Sequence, residues 1–262
     1  MKPTASVALI FSSALLLAAF LPSSAATPPP ASFAYVLQAD ALAKSRTAAV
    51  AQLAACGRDW IVLDAAFSTD EPWTPADLKF IRAGKSGRKV IAYLSIGEAE
   101  DYRPYWKREW DANKDGKPDT NAPAFLAGEN PGWHGNYRVK YWHAGWQKLI
   151  LAAVDQIVAQ GFDGVYLDIV DGFETFEQDG KNFIDDRVNP ETKQSYRRDM
   201  VDWVKAVAAR ARGERSGARH SAERRATAGA RGFCRRGGRH RPGRSIFKRQ
   251  QAATRRPHKI HL

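Results

Sequence analysis

The sequence alternates between apolar segments and amphipathic segments, and this alternation constrains the fold more than any other feature. The apolar segments predict strands at 32–38, 59–67, 89–97 and 162–168. The segments between and after them predict helices at 42–56, from Thr74 onward, at 147–159 and at 196–209. Strands that are apolar along nearly their whole length are covered on both faces, which is typical of parallel sheets. The chain is therefore predicted to be an α/β protein.

Two α/β architectures fit this pattern, a TIM barrel and a doubly wound sheet. No GxGxxG motif follows the first strand, which disfavours a dinucleotide-binding sheet, so the (β/α)8 barrel is preferred. A complete barrel needs about 250 residues and eight strands. Residues 27–211 provide about the first five strands, counting a short candidate at 137–142, so an incomplete barrel domain is predicted at 32–211.

The N-terminus predicts an exported protein. Lys2 precedes an apolar run from Val7 to Leu21, and small residues follow up to Ala26, which is the pattern of a signal peptide over residues 1–26. An uncleaved membrane anchor is the alternative. Residues 27–31 form a proline-rich linker. The mature chain is expected to be secreted or periplasmic and to have no membrane contact after cleavage.

The basic residues are concentrated at the C-terminus. Residues 212–262 hold 16 Lys and Arg against 2 Asp and Glu, whereas residues 1–211 hold 24 against 26. This tail is interpreted as a polyanion-binding segment, as ordinary disorder, or as an out-of-frame translation of GC-rich DNA. The out-of-frame origin is favoured, because the change in composition is abrupt and begins where a helix ends.

The metal-ligating residue types give one weak pattern. Cys56 and Cys234 do not form a disulfide framework, and Cys56 is expected to be a buried free thiol. No cofactor is predicted. Residues 111–122 match part of a calcium loop, although Ala122 stands where the loop needs a glutamate. A polar turn is the alternative for this segment. The matching side chains are Asp111, Asn113, Asp115 and Asp119.

Acidic residues follow three of the predicted strands. Asp64 lies in the second, Glu98, Glu100 and Asp101 follow the third, and Asp168 and Asp171 end the last. The carboxyl ends of barrel strands carry the active site, and paired carboxylates are the groups that glycoside hydrolysis uses. Aromatic residues, which suit stacking on sugar rings, are frequent between 93 and 146.

Five blocks of sequence, in order, resemble glycoside hydrolase family 114. They are DWIVLDAAF, AYLSIGEAEDYRPYW, WDANKDGKPD, YRVKYW and GFDGVYLDIVDGFE. The resemblance covers residues 32–211. It implies an exported TIM barrel with endo-α-1,4-polygalactosaminidase activity on a polysaccharide rich in galactosamine.

The resemblance also implies roles for individual residues. Asp168 corresponds to the nucleophile, and the general acid/base glutamate is expected on a strand after residue 211, where no segment matches. The acidic residues at the carboxyl ends of the strands form the mouth of the predicted barrel, and this mouth suits a cationic amino sugar. The resemblance implies that Asp64, Tyr93, Glu100, Asp101, Arg103 and Asp171 bind substrate, and Glu98, Trp142 and Tyr166 are also expected to do so.

The leading functional hypothesis is therefore an exported, monomeric glycoside hydrolase that binds polysaccharide and not nucleic acid. Two alternatives remain at this stage. One is an inactive, truncated barrel that binds carbohydrate or is unstable. The other is a protein that binds nucleic acid or another polyanion through its basic tail.

Overall fold

The computed structural model describes residues 30–213. The strands are β1 Phe33–Val36, β2 Trp60–Leu63, β3 Ala66–Ser68, β4 Glu71–Pro72, β5 Lys89–Ser95, β6 Glu98–Glu100, β7 Leu126–Glu129, β8 Asn136–Val139, β9 Gly164–Asp168, β10 Gln178–Asp179 and β11 Asn182–Phe183. The helices are α1 Ala39–Leu42, α2 Arg46–Ala55, α3 Pro75–Ala83, α4 Ala144–Gln160, α5 Glu174–Glu177 and α6 Tyr196–Ala211. The predicted signal peptide, most of the linker, Cys234 and residues 214–262 of the tail lie outside the described residues.

The central element is a parallel sheet in the order β1-β2-β5-β9, which confirms the predicted α/β class and parallel pairing. One sequence-based expectation is wrong. The segment predicted as a barrel strand at 137–142 contributes to β8, which pairs antiparallel with β6 and β7 in a separate three-stranded sheet. The described part of the chain therefore has four parallel barrel strands and a small sheet beside their carboxyl ends.

The parallel sheet has two different faces. On one face, the side chains of β1, β2 and β5 pack against α2 and α3, with Leu53, Ile61 and Leu78 fully buried. Farther along the sheet, α4 and α6 cover β5 and β9. The opposite face carries a smaller cluster of Val62, Ile91 and Tyr93. A sheet with helices along one face and a small cluster on the other matches the outer and inner sides of a barrel segment.

Local sequence fixes where the elements begin and end. Thr74 and Asp77 form a capping box at the start of α3, because each side chain accepts a hydrogen bond from the other residue's backbone N–H. Gly161 ends α4 in the left-handed conformation that a residue with a side chain rarely adopts. The strand β9 begins three residues later, so the helix returns the chain directly to the sheet.

Arg88 joins two helix ends to the sheet. Its side chain is 2% exposed, and its guanidinium donates hydrogen bonds to five backbone carbonyl oxygens. Four of these carbonyls lie at the C-terminal ends of α2 and α3, where they lack the N–H donor four residues later that a carbonyl inside a helix has. The carbonyl of Ile81 also accepts the N–H of Gly84. The positive charge also faces the negative ends of the two helix dipoles.

Two further features bear on the sequence-based expectations. Cys56 is a buried free thiol, as predicted. Among the described helices, none combines the length and the apolar composition that crossing a bilayer requires.

Candidate active site

The carboxyl ends of β5 and β9 place two of the predicted site residues in contact. Asp168 is the last residue of β9 and lies opposite Ser95 of β5, and Tyr166 lies opposite Tyr93. Because side chains alternate along a strand, Tyr93 and Asp168 lie on the same face of the sheet. The Tyr93 hydroxyl donates a hydrogen bond to Oδ2 of Asp168 at 2.8 Å.

Tyr93 is a permanently protonated donor. Its side chain is buried, and burial, together with the negative charges of Glu100 and Asp168, raises the pKa of Tyr93 far above its ordinary value. The hydroxyl also lies 3.3 Å from Oε1 of Glu100, but its single proton favours the shorter contact with Asp168. One oxygen of the Asp168 carboxylate is therefore held by a neutral hydrogen-bond donor.

Arg103 connects the ends of two more strands to this pair. Its Nη1 lies 2.7 Å from Oδ2 of Asp64, directly after β2, and its Nε lies 2.5 Å from Oε2 of Glu100 in β6. The neighbouring carboxylates raise the pKa of Arg103 against the opposing effect of burial. Asp64, Glu100 and Arg103 are thus locked together, whereas Asp168 is not paired with a cation in the described chain.

Tyr35 belongs to the same group of side chains although it was not predicted from the sequence. Its ring is centred 5.6 Å from that of Tyr166 and 6.3 Å from that of Tyr93, both at steep angles. Burial and the charge of Asp168 raise the pKa of Tyr35. Tyr35 is 46% exposed as a residue, so Tyr35 and Tyr166 offer aromatic surface next to the Asp168 carboxylate.

Asp171 lies three residues beyond Asp168 and is half-buried. Its pKa is raised, first by burial and also by the negative charge of Asp168. At this end of the sheet Arg103 pairs with Asp64 and Glu100, whereas Asp168 and Asp171 form no ion pair with a cation of residues 30–213. The mouth is acidic, and it favours ligands that carry positive charge.

The raised pKa of Asp171 predicts a pH effect on stability. Since the folded chain keeps the Asp171 proton at pH values where the unfolded chain has lost it, the free energy of unfolding should fall as pH rises from about 4 through the raised value. Asp171→Asn removes this ionisation. Urea unfolding from pH 4 to 7 should show a flatter profile for the variant, with greater stability than the wild type at neutral pH.

The matched change at an exposed carboxylate, Asp179→Asn, controls for the loss of one negative charge. If Asp171→Asn follows the wild-type profile across this pH range, burial does not oppose ionisation of Asp171.

Three predicted site residues, Glu98, Asp101 and Trp142, lie outside the group described above. Glu98 is 4% exposed, and its carboxylate accepts hydrogen bonds from the side-chain amides of Asn130 and Asn136. Asp101 is exposed, and its backbone N–H donates to the carbonyl of Gly135. Trp142 packs against Phe176 and Tyr196, and its indole N–H donates to Glu191. Glu98 is thus held by its two amide partners, and Asp101 and Trp142 lie on neighbouring loops.

The calcium-loop candidates form a hydrogen-bonded turn. Asp111 accepts the backbone N–H groups of Asp115 and Gly116, and its second oxygen also accepts the hydroxyl of Tyr137. Asn113, Asp115 and Asp119 each accept one nearby backbone N–H. Within residues 30–213, no group of three or more His, Cys, Asp or Glu side chains is arranged to hold a metal ion. The segment thus forms a hydrogen-bonded polar turn, and calcium binding by it stays a prediction.

Comparison with known proteins places the chain in a family. The profile of glycoside-hydrolase family GH114 matches residues 17–219, well over half of the sequence. The chain therefore belongs to glycoside-hydrolase family GH114, in agreement with the resemblance seen in the sequence motifs.

Two curated relatives are uncharacterized proteins. One, from Deinococcus radiodurans, is 38% identical over 154 residues, which cover 59% of this chain and 42% of that protein. The other, from Methanocaldococcus jannaschii, is 45% identical over 120 residues, which cover 46% of this chain and 32% of that protein. The matched part of the chain thus spans less than half the length of either relative.

Two solved structures are similar at low sequence identity. The glycoside hydrolase domain of PelA from Pseudomonas aeruginosa is 20% identical, with a TM-score of 0.43 over 71% of this chain and 58% of that chain. Ega3 from Aspergillus fumigatus, in complex with galactosamine, is 21% identical, with a TM-score of 0.42 over 70% of this chain and 54% of that chain.

Proposed function

We propose that this protein cleaves an α-linked, galactosamine-rich polysaccharide and that Asp168 is the nucleophile. One observation carries the proposal. A carboxylate without a cationic partner in the described chain ends a parallel strand, and one of its oxygens is held at 2.8 Å by a protonated tyrosine. The carboxyl end of a barrel strand is where glycoside hydrolases of this architecture place their catalytic groups. Family membership supports the reaction class.

The proposed reaction is a two-step displacement. The free oxygen of Asp168 attacks the anomeric carbon, the glycosidic C–O bond breaks, and the leaving oxygen takes the bonding electrons and a proton from a general acid. Water then hydrolyses the glycosyl ester. The resemblance implies a glutamate after residue 211 as the general acid/base, and that region lies outside the described residues.

The substrate class is inferred from the negative charge of the mouth and from the tyrosine rings beside it. The carboxyl groups of Asp64, Glu100, Asp168 and Asp171 outnumber the guanidinium of Arg103 in this group of described residues, and they would attract the ammonium group of a de-N-acetylated amino sugar. The rings of Tyr35 and Tyr166 would pack against the apolar face of a sugar ring. Export of a monomeric chain to the extracellular space or periplasm is part of the proposal, because the polymer would be found there.

An activated substrate tests this proposal without requiring the general acid. Fluoride leaves without protonation, so α-galactosaminyl fluoride needs only the nucleophile for the first step. The chain should release about one fluoride per protein molecule in a rapid first turnover. The N-acetylated fluoride, which lacks the positive charge, should react at least about 10-fold more slowly, as expected from loss of about 1.4 kcal/mol of charge recognition.

Failure of both fluorides to react would refute the proposed reaction. Equal rates with both would refute the proposed substrate class while leaving the reaction in place. Binding of the deacetylated polymer without any fluoride release would instead favour an inactive carbohydrate-binding chain.

A further inference from the structure

The end of β5 is fixed to the helical layer by two buried indoles. The carbonyl oxygen of Ile96 accepts hydrogen bonds from Nε1 of Trp146 at 2.9 Å and from Nε1 of Trp203 at 3.1 Å. Trp146 belongs to α4 and Trp203 to α6, and each is at most 1% exposed. A carbonyl oxygen has two lone pairs, so both hydrogen bonds form together and fully occupy the acceptor.

The same segment contacts the backbone on both sides of the Asp168 side chain. The N–H of Ile96 donates to the carbonyl of Asp168 at 3.1 Å. The next residue, Gly97, lies against the carbonyl of Ile169, because a Cβ on Gly97 would be only 2.2 Å from that oxygen. No side chain fits at this position without displacement of the Ile169 peptide group.

Ile169 adopts a strained conformation that its surroundings maintain. Its φ is +56°, in the left-handed region that β-branched residues rarely occupy. Its carbonyl is enclosed from a second direction by Gly172, whose N–H donates to it at 3.2 Å. Strained residues of this kind are found at functional sites, where the surrounding structure dictates their geometry.

We propose that Ile96 and Gly97 form a backbone support that positions Asp168, and that Gly97, Trp146 and Trp203 are positioning residues for it. The inference rests on the proposed function in that Asp168 is taken as the nucleophile. Tyr93 fixes the carboxylate end of the Asp168 side chain, and the support fixes its main chain. A displacement of about 1 Å at a reacting group lowers the rate by about 100-fold.

A graded series of glycine substitutions tests the support in the full chain. Gly97→Ala places a methyl group 2.2 Å from the Ile169 carbonyl, Gly172→Ala places one at 3.1 Å, and Gly57→Ala places one in open space. The saturating rate of fluoride release should fall by about 100-fold, by about 10-fold and not at all, respectively. The half-saturating concentration should stay within about 3-fold in all three, since the ring contacts and charges of the mouth are retained.

A second substitution separates positioning from stability. Ile169→Gly in the Gly97→Ala background removes the Cγ2 methyl group of Ile169, which would lie 2.8 Å from the new Cβ, and lets residue 169 change its backbone conformation at little cost. Gly97→Ala alone should lower the thermal midpoint of unfolding. In the double variant the midpoint should rise again toward the wild-type value, while the rate of fluoride release stays low. A variant that combines Trp146→Phe and Trp203→Phe loses both hydrogen bonds to the Ile96 carbonyl, so its rate of fluoride release should fall. Trp110→Phe is the control and should not lower this rate, because the buried indole of Trp110 packs on Trp106 and Phe125.

The carboxyl carbon-13 resonance of Asp168 provides a readout that does not need turnover. It should shift in Gly97→Ala and in the double variant, in the same direction as in Tyr93→Phe. A rate that recovers together with stability, or an Asp168 resonance that Gly97→Ala leaves unmoved, would overturn the positioning role. Absence of fluoride release in the wild type would instead refute the proposed reaction, and the resonance would still decide the role of the support.

Discussion

Asp168→Asn should abolish the release of fluoride from α-galactosaminyl fluoride, with a fall in rate of at least about 1,000-fold. An asparagine amide is a poor nucleophile and cannot form the glycosyl ester that the first step requires. The fold should persist, because Asp168 is only partly buried and its backbone pairing with β5 is unchanged. Rates measured on protein with an unchanged circular dichroism spectrum test this expectation.

Asp155→Asn is the matched control for this change. Asp155 is an exposed carboxylate on α4 that pairs with Arg210 on α6, outside the contacts of the mouth. Its loss should leave fluoride release within about 2-fold of the wild type, as for surface changes generally. An Asp168→Asn variant that releases fluoride at the wild-type rate would exclude Asp168 as the nucleophile.

Arg88→Met should cost about 4 kcal/mol of the free energy of unfolding, a large part of the stability of an ordinary domain. Methionine fills much of the same volume but removes the Arg88 donor from five carbonyl oxygens, four of them in buried contacts. It also removes the positive charge that faces the ends of α2 and α3. Equilibrium unfolding in urea, monitored by tryptophan fluorescence, measures the change.

Lys79→Met provides the comparison, because Lys79 is an exposed cation in α3. Its replacement should change the free energy of unfolding by no more than about 0.5 kcal/mol. Similar costs for the two methionine variants would show that the carbonyl contacts of Arg88 do not hold the helix ends to the sheet.

The main sheet was predictable because its strands are apolar on both faces. Segments such as Trp60–Leu63 and Lys89–Ser95 need cover from both sides, which requires parallel pairing with helical connections. The segment of β8 has a different pattern, since Arg138 is less buried than Tyr137 and Val139 on either side. Such alternation is typical of an antiparallel strand with one solvated face, so the sequence held the signal that separates β8 from the barrel strands.

The part of the candidate site that lies on the strands was predictable, because strand geometry alone determines which side chains share a face. Asp168 and Tyr166 are two residues apart and share a face, and register places Tyr93 beside Tyr166. The same alternation could have identified Tyr35 in β1 as a residue of that face. Glu98 could not be assigned in this way, because its amide partners are Asn130 and Asn136, more than 30 residues away in the sequence. Such contacts depend on how a long loop folds back.

The identity of the covalently modified residue tests the central claim most directly. After a brief reaction with α-galactosaminyl fluoride and an acid quench, proteolytic digestion and mass spectrometry should find one galactosaminyl unit on the peptide that contains Asp168. Fragmentation should place the ester on that side chain. An ester on another carboxylate, or fluoride release without any modified peptide at the shortest reaction times, would contradict the assignment of Asp168 as the nucleophile.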